Sequence, residues 1–148
     1  MKKIFSIVII ILIFATYYIV CIKSSSKVET ISGMAKLKSS HITKIVFCDG
    51  RGGNKPLTIE NEEKIKEFIG YLDECIIKKE DIHIGAKGWI HSAAFYSNDK
   101  EVADITFGDP IIFRKTESTE YYDVLKNNLS TEMIDKFLQS VDSSWKSL

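Results

Sequence analysis

Residues 89–114, WIHSAAFYSNDKEVADITFGDPIIFR, decide the fold of this chain. β-Branched, aromatic and small residues come in three short runs that are separated by polar turn signals. Alternation of side chains with a period of two, clearest in the second run, predicts antiparallel strands of a sheet that is covered on one face. The expected elements are strands at 89–96, 101–107 and 111–114, with turns at 97–100 and 108–110.

Two amphipathic helices are predicted on either side of these strands. The first begins after Asn61 and the second after Ser130, both good N-cap residues. Apolar residues recur at helical spacing in both segments. The two stripes are Ile65, Phe68, Ile69, Leu72, Cys75 and Ile76, and Met133, Ile134, Phe137, Leu138 and Val141.

Residues 41–48 are β-branched and aromatic, and they predict one further strand ahead of the first helix. The order is then strand, helix, three strands, helix. A sheet of about four mostly antiparallel strands gives the two helices one apolar face to cover. We therefore expect an α+β domain over 41–148.

The N-terminal residues 4–22 carry no charge and lie between Lys3 and Lys23. As a helix this run would extend about 28 Å, close to the hydrocarbon thickness of a bilayer. It predicts a single-pass transmembrane helix whose partner is the lipid bilayer, with Lys2 and Lys3 holding the N-terminus in the cytoplasm. The expected organisation is an anchor or signal segment at 1–22, a polar tether at 23–40 and an extracytoplasmic domain at 41–148.

Two alternatives for the N-terminal segment place the protein outside the cytoplasm without a membrane span. A cleaved signal peptide, with its site at Ser24–Ser26, would give a secreted protein, although the apolar core of such a signal usually runs about 7–15 residues. Lipidation of Cys21 would give a lipoprotein, although Val20 is not the small residue that such signals place before the cysteine.

Composition and motif spacing exclude several classes of function. The chain has 20 Lys and Arg against 20 Asp and Glu, so there is no basic excess to favour nucleic acid. The glycine-rich loop matches neither the P-loop nor the dinucleotide-binding spacing. Three histidines without metal-ligand spacing, and no G-x-S-x-G, leave no predicted catalytic residue, metal site or cofactor.

The loop 49–54, DGRGGN, is the one candidate ligand site. Glycines let backbone N–H groups converge on an anion, and Arg51 is suited to pair with a carboxylate or phosphate. Asp49, Arg51 and Asn54 are therefore the candidate ligand-binding residues. The alternative interpretation is a turn that only connects a strand to the following helix.

Cys48 and Cys75 are candidates for a disulfide, since an exported domain would fold in an oxidising compartment. The alternative is two buried thiols that act as small apolar side chains. Sequence alone does not show the geometry that a bridge requires.

Several short motifs over 41–140 carry a resemblance. They are Gly88-Trp89-Ile90, Phe95-Tyr96 before the hairpin, Ile105-Thr106-Phe107-Gly108 and the pair Tyr121-Tyr122. With the hydrophobic N-terminal segment, this pattern resembles small exported or membrane-anchored proteins of low-GC Gram-positive bacteria that are grouped as domains of unknown function. The 18 Lys against 2 Arg fit an AT-rich genome. The resemblance implies a location outside the cytoplasm and brings no catalytic residue with it.

The expected function is non-catalytic: binding, sensing or inhibition at the cell surface, through an unknown extracytoplasmic protein or ligand. Two other classes stay open. One is an exported enzyme that uses Cys48 or His91, and the other is an accessory subunit of a membrane complex.

Overall fold

The structure is a computed structural model that describes residues 11, 14–16, 28–80, 83, 85, 87–115 and 118–147. The described residues form eight strands and, beyond residue 28, three helices. The strands are β1 Val28–Thr30, β2 Lys44–Asp49, β3 Leu57–Ile59, β4 Ile76–Lys79, β5 Lys87–Ser97, β6 Lys100–Asp109, β7 Ile111–Lys115 and β8 Ser118–Lys126. The helices are α1 Ile31–Met34, α2 Glu62–Glu74 and α3 Thr131–Val141.

All eight strands belong to one antiparallel sheet, in the order β1-β4-β8-β7-β6-β5-β2-β3. The prediction of about four strands is therefore wrong. The additional strands β1, β3 and β4 have three or four residues, too few to show a period in sequence. β8 is polar over most of its length, and it is held by pairing with β7 on one side and β4 on the other.

The prediction of an N-terminal transmembrane helix is also wrong. Among the residues that the structure describes, no helix is long and apolar enough to cross a membrane. The prediction depended on an unbroken run over 4–22, of which only residue 11 and residues 14–16 are described, and Cys21 lies outside the described residues as well.

From residue 28 onward, the predicted tether is part of the folded domain. β1 pairs with β4, and α1 follows it directly. Ile31 and Leu37 are fully buried in the core. The loose spacing of apolar residues in this segment therefore reflects packing against the domain.

The hydrophobic core lies between one face of the sheet and the helices. Phe68 of α2 occupies its centre, with its ring centroid 4.9 Å from those of Phe47 in β2 and Phe137 in α3. Phe95 and Phe107 approach the same ring from β5 and β6. One aromatic side chain thus joins both long helices to three neighbouring strands.

Both long helices begin where their N-cap residues predicted. The Asn61 side chain accepts a hydrogen bond from the Lys64 backbone N–H at 3.0 Å, and the Ser130 side chain accepts one from Met133 at 3.2 Å. Each bond satisfies a backbone donor that has no partner within its helix. The caps fix where α2 and α3 begin, and α3 in turn positions part of the candidate functional site.

We predict that Ser130→Ala lowers the free energy of unfolding by about 1 kcal/mol, because it removes this cap. Ser130→Asp is the matched control, since a carboxylate also caps a helix and should retain most of the stability. Urea titrations followed by circular dichroism measure both. Equal losses in the two variants would contradict a capping role.

Candidate functional site

The loop after β2 folds around Asp49. The Asp49 Oδ1 atom accepts hydrogen bonds from the Arg51 backbone N–H at 3.0 Å and from Arg51 Nε at 2.7 Å. Its Oδ2 atom accepts from Asn54 Nδ2 at 2.7 Å. Gly52 has a φ of +74°, a left-handed conformation that glycine adopts without strain. The three candidate ligand-binding residues are therefore together, but they bind one another.

Arg51 extends from this loop to α3 and pairs with Asp135. Its Nη1 and Nη2 atoms lie 2.9 and 3.0 Å from the two carboxylate oxygens, a bidentate arrangement. The side chains of Asp49 and Asp135 are 0% and 3% exposed, and that of Arg51 is 12% exposed. We call Asp49, Arg51, Asn54 and Asp135 the Arg51 network.

His91 and Trp145 complete the surroundings of Asp135. Trp145 Nε1 donates to Asp135 Oδ1 at 2.8 Å, and His91 Nε2 lies 3.2 Å from the same oxygen. His91 sits in β5 directly opposite Asp49 of β2 and is 1% exposed. Sequence reasoning did not find Asp135 or Trp145. The one available signal was a carboxylate next to the apolar stripe of α3, at a position that the helical period places near the core.

The pKa values follow from burial and from these hydrogen bonds. Burial alone would raise the pKa of Asp49, but the bonds from Arg51 and Asn54 outweigh it and lower the pKa to about 2. The pKa of Asp135 is also lowered, because the bonds from Arg51 and Trp145 outweigh its burial. The bond to Asp135 raises the pKa of Arg51. Two carboxylates and one guanidinium are therefore charged at neutral pH.

His91 behaves in the opposite way to the carboxylates. Burial lowers its pKa below the ordinary value of 6.5, and the nearby charge of Asp135 offsets this only in part. The folded protein therefore binds a proton at His91 less readily than the unfolded chain does. At neutral pH the imidazole is uncharged beside a network that carries one net negative charge.

We predict that stability decreases as the pH falls below about 6.5, because the unfolded chain takes up a proton at His91 before the folded chain does. The part of the loss that comes from His91 ends at the lowered pKa of the folded state, and protonation of Asp49 and Asp135 causes a further loss at more acidic pH. Urea titrations at pH 7.5 and pH 5 measure it. The same titrations on His91→Phe, which removes the group, should show a smaller difference between the two pH values; an unchanged difference would refute the prediction.

A pocket of about 360 Å³ opens beside the Arg51 network. Arg51 and Asp135 line it together with Ile90 of β5. α3 contributes the exposed Glu132 and Lys136, and Gln139. The pocket thus offers charges of both signs, an amide and an apolar wall, which are the ingredients of a site for a polar ligand.

A second pocket, of about 420 Å³, lies between residues 37–42 and α2. Its charged side chains are already paired: Lys38 with Asp73, and Lys66 with Glu62. Ser32 also donates a hydrogen bond to Asp73. Because these side chains are paired with each other, they are less available to bind a ligand than the exposed Glu132 and Lys136 of the first pocket.

The structure does not bring the candidate catalytic and disulfide residues together. Cys48 and Cys75 are both free thiols. Phe47 faces the helices, so its neighbour Cys48 lies on the opposite face of the sheet from α2 and from His91. Cys75 is fully buried, and burial raises the pKa of its thiol to about 11. No group of three or more metal-ligating side chains occurs within the described residues.

Comparison of the chain with family models, with curated proteins and with solved structures finds no match.

Proposed function

We propose that this protein is a non-catalytic binding domain that acts outside the cytoplasm, and that the pocket beside the Arg51 network is its ligand site. The observation that carries the proposal is the combination of a rigid, internally satisfied charge network with an open pocket on its surface. Side chains that are locked by their own hydrogen bonds make a preorganised wall.

The positions of His91 and Cys48, the two candidate reactive groups, support binding rather than catalysis. His91 is buried and Cys48 lies on the other face of the sheet, so neither forms a pair with the other. The Arg51 guanidinium is held by two carboxylates. Glu132 and Lys136, in contrast, are exposed at the mouth of the pocket and are available to a ligand.

The location outside the cytoplasm is supported by the sequence, since residues 4–22 are apolar and follow two lysines, as in exported chains. The turn at Asn98 and Asp99 is exposed and joins β5 to β6, so it should accept an inserted epitope. Antibody labelling of intact cells should detect that epitope. Labelling only after the cells are permeabilised would refute an external location.

The pocket is tested by a photoreactive amino acid placed at Lys136 of the full chain in living cells. We expect intact-mass spectrometry to show a discrete adduct, which Glu132→Ala abolishes because it removes an exposed charged group from the pocket. The matched control places the same reagent at Lys66, which is exposed on α2. Identical products from the two positions, or none from either, would overturn the assignment of the site.

A further inference from the structure

Residues 143–147, which we call the C-terminal strap, follow α3 and form neither a helix nor a strand. Trp145 is buried, and the other four residues of the strap are exposed. The strap crosses the Arg51 network, and its Ser147 helps to line the pocket. Its position is therefore set by a few contacts.

The body of the protein holds the strap mainly by its backbone. Asn54 Oδ1 accepts a hydrogen bond from the Lys146 backbone N–H at 2.8 Å, and Asn54 Nδ2 donates to the Lys146 carbonyl at 2.9 Å. Gln139 Nε2 donates to the Trp145 carbonyl at 3.2 Å. Such bonds hold the chain at Trp145 and Lys146, directly after a turn at residues 143–144, without regard to the side chain at Lys146. This is how main-chain pairing contributes to peptide recognition.

The indole of Trp145 supplies the specific part of the contact. It is 5% exposed, and its N–H donates to Asp135 at 2.8 Å. The His91 ring lies 6.1 Å from it, centroid to centroid. An aromatic anchor with a satisfied polar end is the usual centre of a binding interface.

The groove that holds the strap is formed by Asn54, Arg51, Asp135 and Gln139, and bonds outside the strap also hold its walls. Asn54 is fixed by Asp49, and Arg51 fixes Asp135. The pocket lies next to the strap, since Ser147 lines it together with Lys136 and Glu132 of α3.

We propose that this groove recognises a tryptophan-containing segment of a partner polypeptide, and that the C-terminal strap occupies the groove in cis and competes with that segment. The inference rests on the proposed function, since it names the partner for the same site. The strap has the advantage of being tethered, and a short tether gives an effective concentration in the millimolar range. A partner segment replaces the strap by making the same contacts and by adding others in the pocket.

The test uses the full chain with Trp145→Ala, which removes the anchor of the strap. The probe is a fluorescein-labelled peptide with the sequence of residues 142–148, DSSWKSL. By fluorescence polarisation we expect a Kd below about 1 mM for the variant, and binding to the native chain at least about tenfold weaker. A peptide with alanine in place of tryptophan should lose the binding, and adding Asn54→Ala to the variant should weaken binding about tenfold or more.

A folded Trp145→Ala chain that fails to bind the peptide, or binds it equally without its tryptophan, overturns the proposal. If Trp145→Ala does not fold, peptide-induced recovery of the native circular dichroism supports the proposal, and its absence refutes it. The proposal is also refuted if two native copies exchange their straps while the free peptide does not bind the variant. Because the assay uses purified protein, its failure is distinct from a failure of labelling or cross-linking in cells.

Discussion

Replacing Asp135 with alanine is expected to lower the free energy of unfolding by about 3–5 kcal/mol, the usual effect of removing one partner from a buried ion pair. The Asp135 side chain is 3% exposed and accepts from both terminal nitrogens of Arg51. Without it, a guanidinium whose pKa is already raised stays charged and loses its bidentate partner. The Trp145 N–H also loses its acceptor. Urea unfolding at pH 7.5, followed by circular dichroism, measures the loss.

The matched control is Asp104→Ala on the open face of the sheet. Asp104 pairs with Arg114 at 3.5 Å, and the Arg114 side chain is 43% exposed. Exposed pairs contribute about 0–1 kcal/mol, so this variant should remain close to the native chain. If the two alanine variants lose the same stability, the Arg51 network does not hold the C-terminal part of the protein as the structure indicates.

The sequence predicted the elements whose signal is contained in a single segment. The runs 89–96, 101–107 and 111–114 lie within β5, β6 and β7, and the two capped helices are α2 and α3. Each of these has its own period or its own cap. β1 and β4 show neither, because they become strands only by pairing with each other and with β8. The strand count could not be obtained without that long-range pairing.

The candidate site shows the same difference between residues that lie within one segment and residues that are brought together by long-range packing. Asp49, Arg51 and Asn54 were found because they lie within one glycine-rich turn. Asp135 is 84 positions from Arg51, and Trp145 lies beyond the end of α3. Only the packing of α3 against β5 and the loop after β2 brings them together. The sequence thus singled out three residues of one turn, whose binding of a ligand stays a prediction, and the fold adds Asp135, Trp145 and the pocket.

Phe68→Ala is expected to cost about 3–5 kcal/mol of unfolding free energy, the range for removing a buried phenylalanine ring. Phe68 is fully buried, and its ring packs edge-on against Phe47 at 4.9 Å and Phe107 at 5.9 Å. It also contacts Phe137 of α3 at 4.9 Å. The loss therefore weakens α2, α3 and three strands at the same time. Thermal and urea unfolding, followed by circular dichroism, measure it.

Two variants separate the contribution of the ring from that of general hydrophobicity. Phe68→Leu keeps most of the apolar volume and should cost less than half as much as alanine. Met133→Ala removes an apolar side chain of α3 that is 47% exposed, and should stay within about 0.5 kcal/mol of the native chain. Because α3 carries Asp135, a loosened α3 should also release Trp145, so with Trp89 replaced by phenylalanine the fluorescence of Trp145 should shift to the red in Phe68→Ala below the unfolding transition. An unshifted spectrum in a destabilised Phe68→Ala chain would show that the Arg51 network positions α3 without the aromatic core.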